Sequence, residues 1–299
     1  MNNLFIKKLT ELNISFTTNV PMKDHTSFKI GGPADFFISV NNTDELKSAI
    51  SLCKEMDIPY MILGNGSNLL VSDEGIRGAV IRLDGEFKSI TVNGTEIVCG
   101  AGVPLTKLCL EAQRNSLTGL EFGYGIPGTV GGAAYMNAGA YGGEMKDVVV
   151  SCTHLDSDMN VGSFSADELD LSYRHSAYMK GEYVLLSVKM KLSEGTPEKI
   201  KARMDELMQK RIEKQPLEYP SAGSVFKRPE GAFAAALIEQ CGLKGRTVGG
   251  AQVSLKHSGF IINIGSATCQ DVLDLVEIIR NEVKEKTGYE LQREIIHIK

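Results

Sequence analysis

The sequence predicts a mixed α+β chain, heavy in strand up to about residue 195 and richer in helix beyond it. Three observations predict this. Over residues 36–63 the apolar residues pass from a short run to helical spacing and back to a run, which reads as strand, helix, strand. A glycine-rich stretch over residues 119–143 then interrupts the strands. From Gly195 onward long helical patterns take over, with capping signals at their ends.

The opening residues, MNNLFIKKLTELNISF, break their apolar run with Lys7 and Lys8. They read as a short amphipathic helix, not a secretory signal. FFISV, residues 36–40, reads as a strand. Asn42 and Glu45 form a capping-box pattern, and Leu46, Ala49, Ile50, Cys53 and Met56 recur on one helical face behind it. Residues 60–63 make the next strand, which runs into GNGSN at 64–68; LLV and the strand GAVIRL, 78–83, follow. Short strands are expected at 87–92 and 96–99, separated by an Asn93-Gly94 hairpin signal. Pro104 opens a helix with Leu105, Leu108, Cys109 and Ala112 on one face. Strands rich in Val and Leu return at 147–155 and 183–192. Thr196 caps and Pro197 starts a helix to about Lys214, which QPLEYP ends. A helix over about 232–240 closed by Gly242 comes next, then a strand at 259–263. Thr268 and Asp271 open a helix that ends at Gly288, and a strand over 290–298 finishes the chain. The best single boundary falls near 195–200.

The 299 residues carry a net charge of −5. That argues against a general nucleic-acid surface, so an anionic ligand needs a local basic site such as Lys227 and Arg228. No two of the six cysteines have C-x-x-C spacing, and the five histidines lack metal-ligand spacing. No metal is expected, and the cysteines read as small buried hydrophobes in a reducing compartment. The longest charge-free run, residues 122–143, holds eight glycines and Pro127, which argues against a membrane-spanning helix. The expectation is a soluble, cytoplasmic protein.

Two loops suit phosphate. In GNGSN, glycines permit positive φ, and Ser67 and Asn68 add side-chain donors; such a concave row binds pyrophosphate oxygens without a cation. An ordinary tight turn has the same composition, and the loop is neither a Rossmann fingerprint nor a Walker A loop. The second, FGYGIPGTVGGAAYMNAGAYGGE at 122–144, is too varied for a flexible linker and too apolar for disorder. It suits either a dinucleotide cofactor with a planar ring or tight chain-on-chain packing. A third stretch, PSAGSVFKRP at 220–229, sets Ser224 beside the basic pair. Phe226 stands where a nucleophile elbow needs glycine, so Ser224 does not fit that motif.

Together these stretches resemble the UDP-N-acetylenolpyruvoylglucosamine reductase family. The resemblance also runs through HTSFKIGGPADFF (25–37), LSYRHSAY (171–178), LIEQCGLKGRTVGGAQVSLKHSGFIIN (237–263) and YELQREIIHI (289–298). It spans nearly the whole chain, and the compact length is similar to the shorter of the family's two subtypes. It implies an α+β fold whose residues 1–195 form an FAD-binding region of the vanillyl-alcohol-oxidase (PCMH) type, in two subdomains split near 83. A smaller α/β substrate-binding domain at 196–288 and a strand at 289–299 returning to the flavin would complete it. FAD would be held without a covalent link, leaving His25 structural. The matching cofactor residues are Leu63, Gly64, Asn65, Gly66, Ser67, Asn68 and Leu69 in the first loop. In the second they are Gly125, Ile126, Pro127, Gly128, Thr129, Gly131, Gly132, Ala133, Asn137, Ala138 and Gly139.

The resemblance also implies a reaction. NADPH reduces FAD, and a hydride then passes to C3 of the enolpyruvyl ether of a UDP-sugar, in peptidoglycan precursor synthesis. Ser224 matches the general acid that protonates C2, Arg174 a guanidinium that holds the carboxylate, and Glu294 a carboxyl beside the enolate, either ionised or protonated. Tyr173, Tyr141, Lys227 and Arg228 are expected at the substrate. A monomer is expected, with no membrane or nucleic-acid partner. Three rivals stand beside this: a serine hydrolase pairing Ser224 with His257, a non-catalytic flavin or nucleotide-sugar module, and a flavin oxidase with another substrate.

Overall fold

In the computed structural model, which describes residues 2–299, the amphipathic patterns become helices with the faces they predict. Leu46, Ala49, Ile50 and Cys53 are buried along the helix Thr43–Glu55. Asn42 caps it through Oδ1, which accepts the Glu45 N–H at 2.8 Å. Glu45 answers one residue further back than a standard capping box, accepting the Asn41 N–H at 2.7 Å. Leu105, Leu108, Cys109 and Ala112 are likewise buried in the helix Leu105–Arg114. The helix Pro197–Lys214 starts at its proline. Cys269–Thr287 is bracketed by a reciprocal Thr268–Asp271 capping box and by Gly288 at φ +77°.

The chain forms two units. One holds Met1–Thr17, Phe36–Asn65 and Ala79–Lys210; the other holds Thr18–Asp35, Gly66–Gly78 and Arg211–Lys299. Each has its own hydrophobic core. The first unit contains a five-stranded antiparallel sheet in the order Val161–Ser165, Val149–Leu155, Val184–Lys191, Glu96–Gly100, Ile90–Asn93. The short helix Val130–Tyr135, inside the glycine-rich stretch, packs on Val184–Lys191. The strand Tyr60–Leu63 runs parallel to Ile76–Leu83, with Leu63 opposite Arg82. In the second unit a small antiparallel sheet, Thr247–Val248, Ala251–Val253 and Ile261–Asn263, packs with the helix Cys269–Thr287. Ala234–Gln240 packs against the same helix. Ile296–Ile298 lies parallel to Leu69–Val71.

Three local expectations shift. The hairpin turn is Gly94-Thr95, one residue later than the Asn93-Gly94 signal, because Asn93 pairs with Glu96. Gly94, at φ +57°, takes the first central position, which favours glycine in hairpins. Residues 85–88 form a 3-10 turn, so the strand expected from 87 begins at Ile90. The last strand shrinks to Ile296–Ile298; before it, Arg293 makes only an isolated bridge to Phe226. The six cysteines are all free and buried. Burial pushes the thiols of Cys53, Cys99 and Cys152 up to about 12, which keeps them protonated and unreactive. Among the described residues no helix is long and apolar enough to cross a membrane, and no three His, Cys, Asp or Glu side chains group to hold a metal ion.

Candidate active site

The GNGSN loop begins where the strand Tyr60–Leu63 ends, and the chain passes from the first unit to the second between Asn65 and Gly66. Within the first unit its opening residues meet the glycine-rich stretch. Asn65 Nδ2 donates to the Pro127 carbonyl at 2.9 Å. A Cβ on Gly64 would stand 2.6 Å from Thr129 Oγ1, so the Gly64 main chain lies directly against the Thr129 side chain. The stretch is itself tied down: Val130 N–H donates to Val103 O at 2.8 Å and Gly131 N–H to Ala101 O at 2.9 Å. Thr129 caps the short helix behind, its hydroxyl accepting from Gly132 N–H at 3.3 Å.

Within the second unit, Gly66 lies at φ +59°, and a Cβ there would sit 2.3 Å from the His25 carbonyl. Only glycine fits such a place. The Gly66 carbonyl accepts the Ser27 N–H at 3.3 Å. In a trans peptide the carbonyl and the following N–H point opposite ways. The Ser67 N–H is therefore turned away from that contact. With the Ser67 hydroxyl beside it, this gives the donor chemistry a pyrophosphate needs, so the residues present fit a dinucleotide such as FAD. Asn68 commits one of its two amide hydrogens within the protein. Its Nδ2 donates to the Glu294 carbonyl at 3.2 Å, and its own carbonyl accepts the Ile296 N–H at 2.9 Å.

The serine stretch lies beside the same terminal segment. Val225 N–H donates to Gly259 O at 2.9 Å, and Val225 O accepts the Glu294 N–H at 2.8 Å. Lys227 N–H donates to Gln292 O at 2.9 Å. Residues 224–227 are thus held between the 259 and 292–294 segments. Ser224, at an isolated bridge with Phe260, is half-buried between the buried Ala222 and Val225. Glu294 is half-buried as well. The second unit therefore fixes the main chain at Ser224, at Glu294 and at residues 66–69 against one another. Ser27 adds a tie no spacing could reveal: its hydroxyl donates to the Ser221 carbonyl at 2.7 Å. Arg228 stacks its guanidinium 4.6 Å from the centre of the Phe233 ring. His257 is committed to its own loop. Its Nδ1 accepts the Gly259 N–H at 3.2 Å, its ring meets Phe260 edge-on, and burial pushes its pKa down. Among the described residues it makes no hydrogen bond to Ser224.

Arg174 belongs to the first unit. Ser172 and His175 exchange both backbone hydrogen bonds, at 3.2 and 3.1 Å, and enclose a two-residue turn of Tyr173 and Arg174. Arg174 has φ +54° at the second central position, where a type II turn normally wants glycine. A non-glycine residue there costs about 1–2 kcal/mol. Its guanidinium lies 5.1 Å from the centre of the Tyr173 ring. Tyr141 and Asn137 also have positive φ, at +54° and +41°. Backbone strain at a site residue is a pointer to function. Asn137, Tyr141 and Arg174 are three of the ten non-glycine residues with positive φ among the described residues. Below the turn, hydrogen bonds from Lys180 and His175 hold the Asp170 carboxyl below its usual range.

Comparison with known proteins fits this geometry. Residues 34–161 match the profile of an FAD binding domain, and residues 215–298 match the C-terminal domain of UDP-N-acetylenolpyruvoylglucosamine reductase. A UDP-N-acetylenolpyruvoylglucosamine reductase of Clostridium novyi is 52% identical over 93% of this chain and 90% of its own length. One of Caldanaerobacter subterraneus is 51% identical over 99% of this chain and 98% of its own. The crystal structure of the reductase from Thermus caldophilus superposes with a TM-score of 0.81 at 39% identity, covering 96% of this chain and 99% of that one.

Proposed function

The chain belongs to the UDP-N-acetylenolpyruvoylglucosamine reductase family and is an FAD-dependent oxidoreductase of α+β fold; from that premise we propose that it reduces the enolpyruvyl ether of UDP-N-acetylglucosamine to UDP-N-acetylmuramate with NADPH. FAD held by the GNGSN loop and residues 125–139 would supply hydride chemistry toward C3 of the enolpyruvyl group, with NADPH as the source of reducing equivalents.

Every other step falls to the chain. Ser224 delivers the proton to C2. A serine hydroxyl is a weak acid, but an enolate carbon is a strong base, and a preorganised site needs no solvent reorganisation as charge moves. Arg174 grips the enolpyruvyl carboxylate through two parallel N–H bonds and balances the charge that spreads into it. Glu294 lies against the enolate. Lys227 and Arg228 neutralise the substrate's phosphates, with Tyr173 and Tyr141 along the cleft. The main chain of the GNGSN loop and of residues 125–139, with the Ser67 hydroxyl, holds FAD. Residues 1–195 would serve the flavin, 196–288 the substrate, and 289–299 would bring Glu294 back to the first. The protein would act as a cytoplasmic monomer in peptidoglycan precursor synthesis.

The observation that carries this reading is the main-chain bond from Glu294 N–H to the carbonyl after Ser224, 2.8 Å long, on the segment that Asn68 of the flavin loop also grips. An acid and a carboxyl 70 positions apart in sequence are thereby held to one another. The test is spectroscopic. Purified protein should be yellow and should consume about one equivalent of NADPH per flavin under anaerobic conditions, then turn over only when the enolpyruvyl UDP-sugar is added. In D2O the product should carry deuterium at C2, the position that receives the solvent-derived proton. A colourless protein that takes up no FAD, or NADPH consumption indifferent to the sugar, would overturn the proposal.

A further inference from the structure

The Arg174 turn raises a question of support. Strained backbone persists only where its surroundings over-determine it. Within the turn, the Ser172 carbonyl accepts the His175 N–H at 3.1 Å, and on its second lone pair it accepts Asn137 Nδ2 at 2.9 Å. Asn137 stands 35 positions away in the glycine-rich stretch and is fully buried. Both donors of its carboxamide are used. Nδ2 also donates to Glu144 Oε2 at 2.7 Å, and Oδ1 accepts the Lys146 N–H at 2.9 Å.

This arrangement locks the amide one way round. The Glu144 carboxylate and the Ser172 carbonyl only accept, and the Lys146 N–H only donates. A flipped amide would face oxygen to oxygen on one side and nitrogen to N–H on the other. Asn137 also sits at φ +41°, a conformation asparagine tolerates better than other side-chain-bearing residues. One residue type therefore meets both the backbone demand and the hydrogen-bond demand. A side chain spent in this way has no donor left for a cofactor.

We propose that Asn137 is a positioning residue for Arg174: its buried carboxamide anchors the Ser172 carbonyl and so sets where the strained turn presents the guanidinium. The proposal rests on the catalytic reading of Arg174 given above. Loss of this anchor should move the guanidinium without removing it, and misplacement of that kind costs up to about 10²-fold in rate.

The test is a double-mutant cycle on the flavin-loaded protein. Asn137→Asp keeps the shape but replaces both donors with a carboxylate oxygen facing Glu144 and the Ser172 carbonyl. FAD content should hold, while reoxidation of the flavin by the enolpyruvyl UDP-sugar should slow about 10- to 100-fold, more in kcat than in KM. In an Arg174→Ala background the same change should add less than about threefold. Glu144→Gln is the second variant, for use if the first does not fold. By unlocking the amide it should slow the same step about threefold to tenfold, again only while Arg174 is present. Additive losses in the cycle, or lost FAD with an unchanged rate per bound flavin, would overturn the proposal. An unsubstituted protein that the sugar cannot reoxidise would instead sink the reading of the reaction.

Discussion

Gly66→Ala offers a magnitude that can be worked out beforehand. The residue lies at φ +59°, and an added Cβ would stand 2.3 Å from the His25 carbonyl oxygen and 3.0 Å from Thr26 Cα. The left-handed backbone alone costs about 1–2 kcal/mol for alanine. Forcing main chain off main chain adds about 1–3 kcal/mol, as overpacking does elsewhere. The yielding element is the loop at 25–27, whose Ser27 N–H bonds the Gly66 carbonyl at 3.3 Å. Gly94→Ala is the matched control. Gly94 has nearly the same φ, +57°, but nothing lies within 4 Å of its added Cβ. Urea denaturation should therefore find the Gly66 variant less stable than the Gly94 variant by about 1–3 kcal/mol, the close-approach part alone. Because the same loop is expected to grip FAD, flavin titration should show at least about a tenfold weaker affinity for the Gly66 variant, with none lost in the control. Equal denaturation midpoints with unchanged flavin affinity would refute the reasoning.

Other outcomes follow from the same geometry. Arg174→Gly removes a left-handed arginine, so chemical denaturation should find it at least as stable as the parent to within about 1 kcal/mol, while stopped-flow reoxidation by the UDP-sugar falls at least about 10²-fold. Thr268→Ala deletes half of a capping box whose Oγ accepts the Asp271 N–H at 3.0 Å, and should cost about 1 kcal/mol by urea denaturation. His154 is buried against Tyr178, 3.1 Å from Nδ1 to the hydroxyl, and burial lowers its pKa. The unfolded state then binds the extra proton first, so this contribution is complete above the unfolded value near 6.5 and is lost as pH falls through the folded one. Stability measured against pH should fall on that acid side, and His154→Phe should flatten the limb. Thiol titration of the native protein should leave Cys53, Cys99 and Cys152 unlabelled until denaturant is added.

Much of the architecture was legible because burial leaves a period in the sequence. The stripes at Leu46, Ala49, Ile50 and Cys53 and at Leu105, Leu108, Cys109 and Ala112 both proved to be buried faces. Elements without such a stripe stayed hidden. Val161–Ser165 is an edge strand with polar, exposed residues, and Thr247–Val248 and Ala251–Val253 are too short to show alternation. Val130–Tyr135 hides in glycines that argue against a helix, and is held by its Thr129 cap and its packing. The family resemblance supplied the names of the site residues, and spacing alone could not have joined Ser224 to Glu294. Their link is a main-chain bond, which no side-chain pattern records. For the same reason the uses of Asn68 and Asn137 were invisible: each side chain bonds a carbonyl far off in sequence.

Proton delivery by one hydroxyl is the centre of the account, and Ser224→Ala tests it with the two half-reactions followed separately in an anaerobic stopped-flow. NADPH should still bleach the flavin at close to the parent rate, while return of the colour with product formation should slow by about 10²- to 10⁴-fold, the usual worth of a general acid. Equal loss in both directions from a folded, flavin-loaded variant, or undiminished reoxidation, would contradict it.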